Sequence, residues 1–307
     1  MAAVSSNINI PIQVYSMQTL PALALFAILV ISGCTTPFPT GGGAGVVIEI
    51  FEVDFSDAFE GEEITFTVRV RNTGSIDANE VRVQLLGLGN EWGPGTEFFD
   101  TDRLIAPSAT FGTQGESRIW TFTRTAPGVP EGLPVTYTPT ARVTYKYAST
   151  TIKTINIGSQ DELRRIQNGG GALPSETTST SSSPIILTVT NQGPIRVFGD
   201  AGASITFPLQ ITINNVGGGV VCTPNCANSN YWDRFTLKTE TGDGQQAQNE
   251  CRTRDLILFR GQSNTITCKI TVERPPIGIV QKSITVEAIY EYQLDSTISV
   301  RVNPVLS

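Results

Sequence analysis

Apolar and polar residues alternate along several short stretches of this chain. Every second residue is apolar in two of them: Ile64, Phe66, Val68 and Val70, then Ile205, Phe207, Leu209, Ile211 and Ile213. A period of two places these side chains on one face of a β-strand. The pattern therefore predicts an all-β fold with these residues in the core.

The alternating stretches belong to a sequence repeat. Three features occur in both copies, namely Gly61–Phe66 with Gly202–Phe207, Asn72-Thr73-Gly74 with Asn215-Val216-Gly217, and Thr144-Tyr145-Lys146-Tyr147 with Ile289-Tyr290-Glu291-Tyr292. Each copy holds about seven predicted strands, the number found in immunoglobulin-like sandwiches. We predict two tandem immunoglobulin-like β-sandwiches, at residues 46–158 and 184–307, and expect each to fold alone on its own core.

Two segments of the first copy resemble a known family. Asn72-Thr73-Gly74 and the block Gly115…Ile119-Trp120-x-Phe122…Ala126-Pro127 are similar to CARDB-like and related immunoglobulin-like domains of prokaryotic cell-surface proteins. The resemblance covers each copy separately. It implies adhesion, spacing or scaffold roles, and it brings no catalytic residue with it.

Residues 159–183 separate the two copies. They begin with an acidic and basic stretch that suits one or two helical turns and continue through three glycines into a Ser/Thr tract. Such a composition predicts a solvated linker, with O-glycosylation of the tract as an option.

The N-terminus has the pattern of an export signal. Residues 1–34 hold no charged side chain, and the apolar run Leu20–Ile31 is shorter than the ~20 residues of a membrane span and within the ~7–15 of a signal peptide. The sequence Ile31-Ser32-Gly33-Cys34 resembles a lipobox, which implies cleavage before Cys34 and a lipid on its sulfur. We predict a signal peptide at 1–33 and a lipid-anchored flexible tether at 34–45. An ordinary cleaved signal or an uncleaved anchor are the alternatives.

Composition narrows the classes of function. The net charge is −7, no Lys/Arg run occurs, and the chain has no histidine. The basic footprint of a nucleic-acid binder is absent, so no nucleic-acid partner is expected. Without histidine the chain lacks the commonest general base and metal ligand, so we expect no enzyme, no catalytic residue and no cofactor.

The four later cysteines all lie in the second copy. They are Cys222, Cys226, Cys251 and Cys268. Zinc favours paired short spacings, and only Cys222 and Cys226 have one, so disulfides are the better interpretation for an exported chain. Of the three pairings, Cys222–Cys226 and Cys251–Cys268 are favoured.

Aromatic residues in two predicted loops are candidate ligand contacts. These are Trp92, Tyr231 and Trp232. Aromatic side chains stack on sugars or anchor protein partners, but they also cover the ends of a sandwich. A cluster of acidic residues at 54–63 is expected to be a solvated edge, and it lacks the spacing of a calcium loop.

These features favour a structural or adhesive surface lipoprotein, exported, anchored in the membrane and facing outward. Its partners would be the membrane and a protein or glycan at the cell surface. Two alternatives remain. One is a filament or envelope-layer subunit in which residues 35–50 or 183–198 donate a strand to the next copy. The other is a carbohydrate-binding module.

Overall fold

A computed structural model describes residues 45–198, 204–242, 251–272 and 278–305. The predicted signal peptide, Cys34 and the rest of the tether up to residue 44 lie outside the described residues. The strands of the first half are β1 (Val46–Val53), β2 (Asp57–Phe59), β3 (Glu63–Asn72), β4 (Ala78–Leu86), β5 (Phe98–Leu104), β6 (Ser117–Thr125), β7 (Val135–Tyr137) and β8 (Thr140–Ser159), with a 3₁₀ turn at Asn90–Trp92.

One helix and ten strands follow. They are α1 (Gln160–Asn168), β9 (Thr178–Thr180), β10 (Ile185–Thr190), β11 (Ile195–Val197), β12 (Ile205–Asn215), β13 (Val220–Cys222), β14 (Arg234–Thr241), β15 (Thr253–Ile257), β16 (Ser263–Val272), β17 (Ile279–Thr297) and β18 (Val300–Asn303), with a 3₁₀ turn at Ser229–Tyr231. The predicted all-β class is confirmed. No helix in the described ranges is long and apolar enough to cross a membrane.

The repeat is visible as two equivalent three-stranded sheets, β1-β3-β6 and β10-β12-β16. Both lie against a nine-stranded sheet, to which the two halves contribute in the order β15-β14-β17-β8-β4-β5 with β9, β11 and β13 at the side. Strands β1 and β10 each contact both β8 and β17. The buried apolar residues of both halves form one cluster. A division into two separate sandwiches is therefore not confirmed.

Strands β8 and β17 join the halves. They pair antiparallel along the whole of β17, with Tyr145 opposite Tyr292, Tyr147 opposite Tyr290, and Lys146 opposite Glu291. In the sequence repeat Tyr145 and Tyr147 correspond to Tyr290 and Tyr292. The register therefore has an approximate twofold axis at the Lys146–Glu291 pair.

Each long strand also extends into the other half. The end of β8 (Ile157–Ser159) pairs in parallel with β11 of the second half. Beyond β17, strand β18 pairs with β2 and β7 of the first half. The two halves thus exchange strand ends, and the edge strands that each half lacks come from its neighbour.

Four tyrosines at the twofold axis fill the space between the sheets. The hydroxyl of Tyr147 accepts from Ile76 N at 3.3 Å, and that of Tyr292 accepts from Gly219 N at 2.9 Å, which is the equivalent position in the repeat. Tyr145 likewise accepts from Val46 N at 3.3 Å. These hydroxyls satisfy backbone donors that would otherwise be buried without a partner.

The repeated Asn-x-Gly motif has a structural cause. Asn72 Nδ2 donates to Ile76 O (2.8 Å) and Leu104 O (2.9 Å), while its Oδ1 accepts from Gly74 N. Asn215 makes the same set, donating to Gly219 O (2.8 Å) and Gly261 O (3.0 Å) and accepting from Gly217 N. The amide of each Asn therefore closes the turn after β3 or β12, a role that needs both a donor and an acceptor.

The segment 159–183 contains the expected helical turns as α1, and part of its Ser/Thr tract forms β9, whose three residues remain exposed to solvent. Ser159 caps α1 by accepting from Glu162 N. In the Ser/Thr tract, β9 pairs with Thr151–Lys153 of β8. The reason is that β8 continues past the first half and offers a free edge there, and β-branched threonine suits an extended strand.

The exchanged strands lead to a first prediction. Residues 46–158 alone should not fold cooperatively, because β8 loses β17 along its length and the first half loses β18. Domains are usually stable by only ~5–15 kcal/mol, so we expect the loss of these strand pairings to abolish the cooperative transition. Circular dichroism with urea titration measures this. Mixing the fragment with residues 159–307 should restore a cooperative transition. A cooperative transition of the first fragment alone would contradict the exchange.

The tyrosine cluster predicts loss of stability at high pH. Burial raises the pKa of Tyr147 and of Tyr292 to about 12, above the ~10 of an unfolded chain. The folded state thus holds protons that the unfolded state releases, so stability is complete below pH 10 and falls as pH rises toward 12, by roughly 2–3 kcal/mol for each tyrosine.

The predicted fall in stability is tested by measuring the midpoint of urea unfolding between pH 8 and pH 12. Tyr147→Phe should make the decline shallower, whereas Tyr231→Phe, at a partly exposed ring, should leave it unchanged. A decline of equal slope in wild type and Tyr147→Phe would refute the assignment.

Candidate functional site

Trp92 is not a ligand contact. The 3₁₀ turn Asn90–Trp92 turns the indole inward, where it is 0% exposed and makes edge-to-face contacts with Phe66 and Tyr137. The expectation that Trp92 contacts a ligand is wrong. Its ring covers the end of the sandwich, which was the alternative interpretation. Tyr231 and Trp232 differ, with 37% and 39% of their surface exposed.

The loop that holds Tyr231 and Trp232 is an insertion into the repeat. Next to β8, strand β4 has a bulge between Asn79, opposite Lys146, and Arg82. Next to β17, the pairing is interrupted at the equivalent place. Cys222 of β13 lies opposite Glu291, and the pairing resumes at Thr236 of β14, which lies opposite Ile289. Strands β13 and β14 together therefore correspond to β4. Residues 223–233, here called the insertion loop, occupy the place of its bulge.

Several short-range bonds hold the insertion loop. Cys222 and Cys226, whose sulfur atoms are 2.10 Å apart, close its first turn, and Asp233 N donates to Val221 O at 2.7 Å across its base. Trp232 Nε1 donates to Cys226 O at 3.1 Å, and Cys226 N donates to Glu291 Oε1 at 3.0 Å. The indole is thereby fixed to the loop, and the loop is fixed to β17.

The other two cysteines are also adjacent. The sulfur atoms of Cys251 and Cys268 are 2.04 Å apart, and both side chains are buried in the core. Both pairs are those that the spacing favoured. The second bridge ties β16 to the segment before β15 and lies apart from the insertion loop.

The insertion loop forms one wall of a cleft of about 520 Å³. Its floor is the outward face of the nine-stranded sheet, where side chains alternate with the buried tyrosines on β8 and β17. Trp232, Asn225 and Ala227 line the wall. Tyr231 is not among the lining residues. Both halves of the chain thus build the cleft, at the twofold axis.

Two arginines on the floor are held by carboxylates. Arg82 Nε and Nη2 donate to Asp100 at 2.7 and 3.1 Å, and Arg142 Nε and Nη2 donate to Asp295 at 2.9 and 2.7 Å. These side-chain hydrogen bonds raise the pKa of both arginines above the ordinary value. The pairs are solvent-accessible and worth only ~0–1 kcal/mol each in stability, so their effect is to fix planar donors in place.

The floor thus offers fixed donors and acceptors next to an aromatic ring. Glu80, which Lys146 Nζ contacts at 2.6 Å, and Asp102 also line the cleft. Rigid hydrogen-bonding groups beside one aromatic wall suit a polar ligand with many hydroxyl groups. The described residues contain no group of three or more His, Cys, Asp or Glu side chains placed to hold a metal ion.

The acidic cluster at 54–63 closes turns. Asp54 Oδ1 accepts from Phe55 N and Thr65 N at 2.9 and 3.0 Å, and Glu62 Oε2 accepts from Phe59 N at 2.9 Å. These two of the five carboxylates of this cluster therefore hold backbone N–H groups in place.

The charged floor of the cleft was not found from the sequence. Arg82, Asp100, Arg142 and Glu291 of the lining, and Asp295 beside it, come from four strands. Their only sequence signal is that each stands at an outward position of an alternating strand. Which of them meet depends on the pairing of β4 with β8 and of β8 with β17.

Comparison with known proteins adds no relationship. Neither a scan against protein-family models nor a search of curated proteins gave a match. The geometry of the chain's own residues therefore supports the function proposed below.

Proposed function

We propose that this is an exported, membrane-tethered surface protein that adheres by binding a glycan in the cleft under the insertion loop. The observation behind the proposal is Trp232. Its N–H is bound to Cys226 O, it keeps 39% of its surface exposed, and it lines a cleft whose floor carries fixed polar groups. Sugar rings stack on an immobilised aromatic while their hydroxyls bond to planar carboxylate and guanidinium groups.

Binding is favoured over catalysis by the composition of the chain. A protein without histidine lacks the commonest general base and nucleophile partner. Both guanidiniums of the floor are paired with carboxylates, an arrangement that suits recognition.

Two features support export: the apolar N-terminal run and the disulfides of the second half. The apolar run before Cys34 has the length of a signal peptide, and the sulfur pairs Cys222–Cys226 and Cys251–Cys268 have the spacing of disulfides, which persist in oxidising compartments. The lipobox resemblance at Cys34 adds the tether.

Filament assembly by strand donation has less support. Residues 46–50 pair with β3 and residues 185–190 pair with β12 of the same chain. The strand ends that each half needs are supplied within one molecule by β8 and β18. No described donor segment is left for a neighbouring copy.

A test of the glycan site follows. The purified protein is screened on a glycan array, and the best oligosaccharide is titrated by calorimetry. Trp232→Ala should weaken binding at least about tenfold, because aromatic anchors commonly contribute ~2 kcal/mol or more. Trp232→Phe, which keeps a ring, should lie between. Tyr231→Ala is the matched control and should bind as wild type. Absence of any glycan binding, or equal affinity in Trp232→Ala, refutes the proposal.

The tether is tested at Cys34. Cys34→Ala should release the protein from the membrane fraction or leave it unprocessed, because a lipid on that sulfur would supply the anchor. Fractionation with mass measurement of the mature chain reads this out. A variant that stays membrane-bound at the wild-type processed mass shows that Cys34 is not the anchor.

A further inference from the structure

We infer that the cleft takes an uncharged saccharide chain and excludes acidic ones such as uronate or sulfated polymers. This inference rests on the proposed glycan site and names its ligand class.

The lining is acidic overall. It contains the carboxylates of Glu80, Asp100, Asp102 and Glu291 and the guanidiniums of Arg82 and Arg142, a net formal charge of −2. Outside the lining, Lys146 pairs with Glu80 and Asp295 pairs with Arg142, so these two charges cancel. Arg118, which contacts Thr101 of the lining, is paired with Glu116. A ligand with one carboxylate for each sugar would therefore enter a field of its own sign.

The two guanidiniums are not free to offset this. Each already donates two hydrogen bonds from Nε and Nη2 to one carboxylate, Arg82 to Asp100 and Arg142 to Asp295. The side-on Nε/Nη2 edge of each guanidinium is therefore occupied and not available to a ligand carboxylate. Arg82 is further held with its guanidinium carbon 4.5 Å from the ring centre of Phe98. Three N–H groups remain on each guanidinium and can donate to ligand oxygens, but its positive charge is already balanced by its own carboxylate partner.

The unpaired acceptors point to the same ligand. Asp102 makes no ion pair with another described residue, and Glu291 accepts from Cys226 N through one of its two oxygens. Ionised carboxylates only accept hydrogen bonds. Sugar hydroxyls can donate to them, whereas a carboxylate or sulfate of a ligand cannot.

The experiment compares two oligosaccharides that differ only in charge. A β-1,4-linked mannose hexamer and the β-1,4-linked mannuronate hexamer have the same backbone and differ at C6. The full-length protein should bind the neutral hexamer at least about tenfold more tightly at low salt. Added salt should narrow the difference by strengthening the weak binding of the acidic hexamer and leaving that of the neutral one unchanged.

A charge variant makes the test specific to the cleft. Asp102→Asn with Glu291→Gln brings the lining to zero net charge and keeps an acceptor oxygen for Cys226 N. It should reduce the preference to less than about threefold, while Asp54→Asn, at an acidic residue outside the cleft, should leave the preference unchanged. A charge variant with an undiminished preference would overturn the inference.

The outcomes separate the two proposals. Equal or tighter binding of mannuronate by the wild-type protein overturns the neutral-ligand inference and leaves the glycan site standing. If neither these hexamers nor any glycan on the array binds, the glycan site itself fails, and the inference fails with it.

Discussion

The pairing of β8 with β17 is the interaction on which the rest of this structure depends. It joins the two copies of the repeat along the whole of β17 and makes one nine-stranded sheet from them. On its inner face it brings four tyrosines together, and on its outer face it sets the charged groups of the two copies side by side. A single register thus specifies the core on one face and the cleft on the other, because a shift of one residue would exchange the two faces.

The cleft also depends on a break in the symmetry of the repeat. Both copies interrupt the strand that pairs next to the twofold axis, but the first does so with a bulge at Glu80 and the second with the insertion loop. The bulge leaves its side of the floor open, and the loop builds a wall on the other. The disulfide and the bond from Cys226 N to Glu291 hold that wall on the sheet. A concave site therefore arises where two similar copies differ.

The periodicity of apolar residues predicted the strands and their buried faces but not how the strands pair. The alternation at Ile64–Val70 and Ile205–Ile213 predicted strands and their inward faces, and all of these side chains except the partly buried Ile205 are buried. A period of two says which face is buried but not which strand lies alongside, so the exchange between halves was out of reach. Trp92 stands in a Gly-rich loop and Trp232 in an Asn-rich one, and neither composition says whether the ring is buried. Only the packing of Phe66 and Tyr137 around the first ring makes one a core residue and the other a cleft residue.

The twofold axis has a consequence for how such a molecule can diverge. In a dimer of identical chains, the residue on the axis faces its own copy, so a charge there meets a like charge. Here Lys146 faces Glu291, because both copies lie on one polypeptide and each can change alone. Covalent fusion also makes their association independent of protein concentration. A duplicated sandwich joined in this way can acquire opposite charges at its centre and a recognition loop on one side, neither of which a symmetric pair of chains can hold.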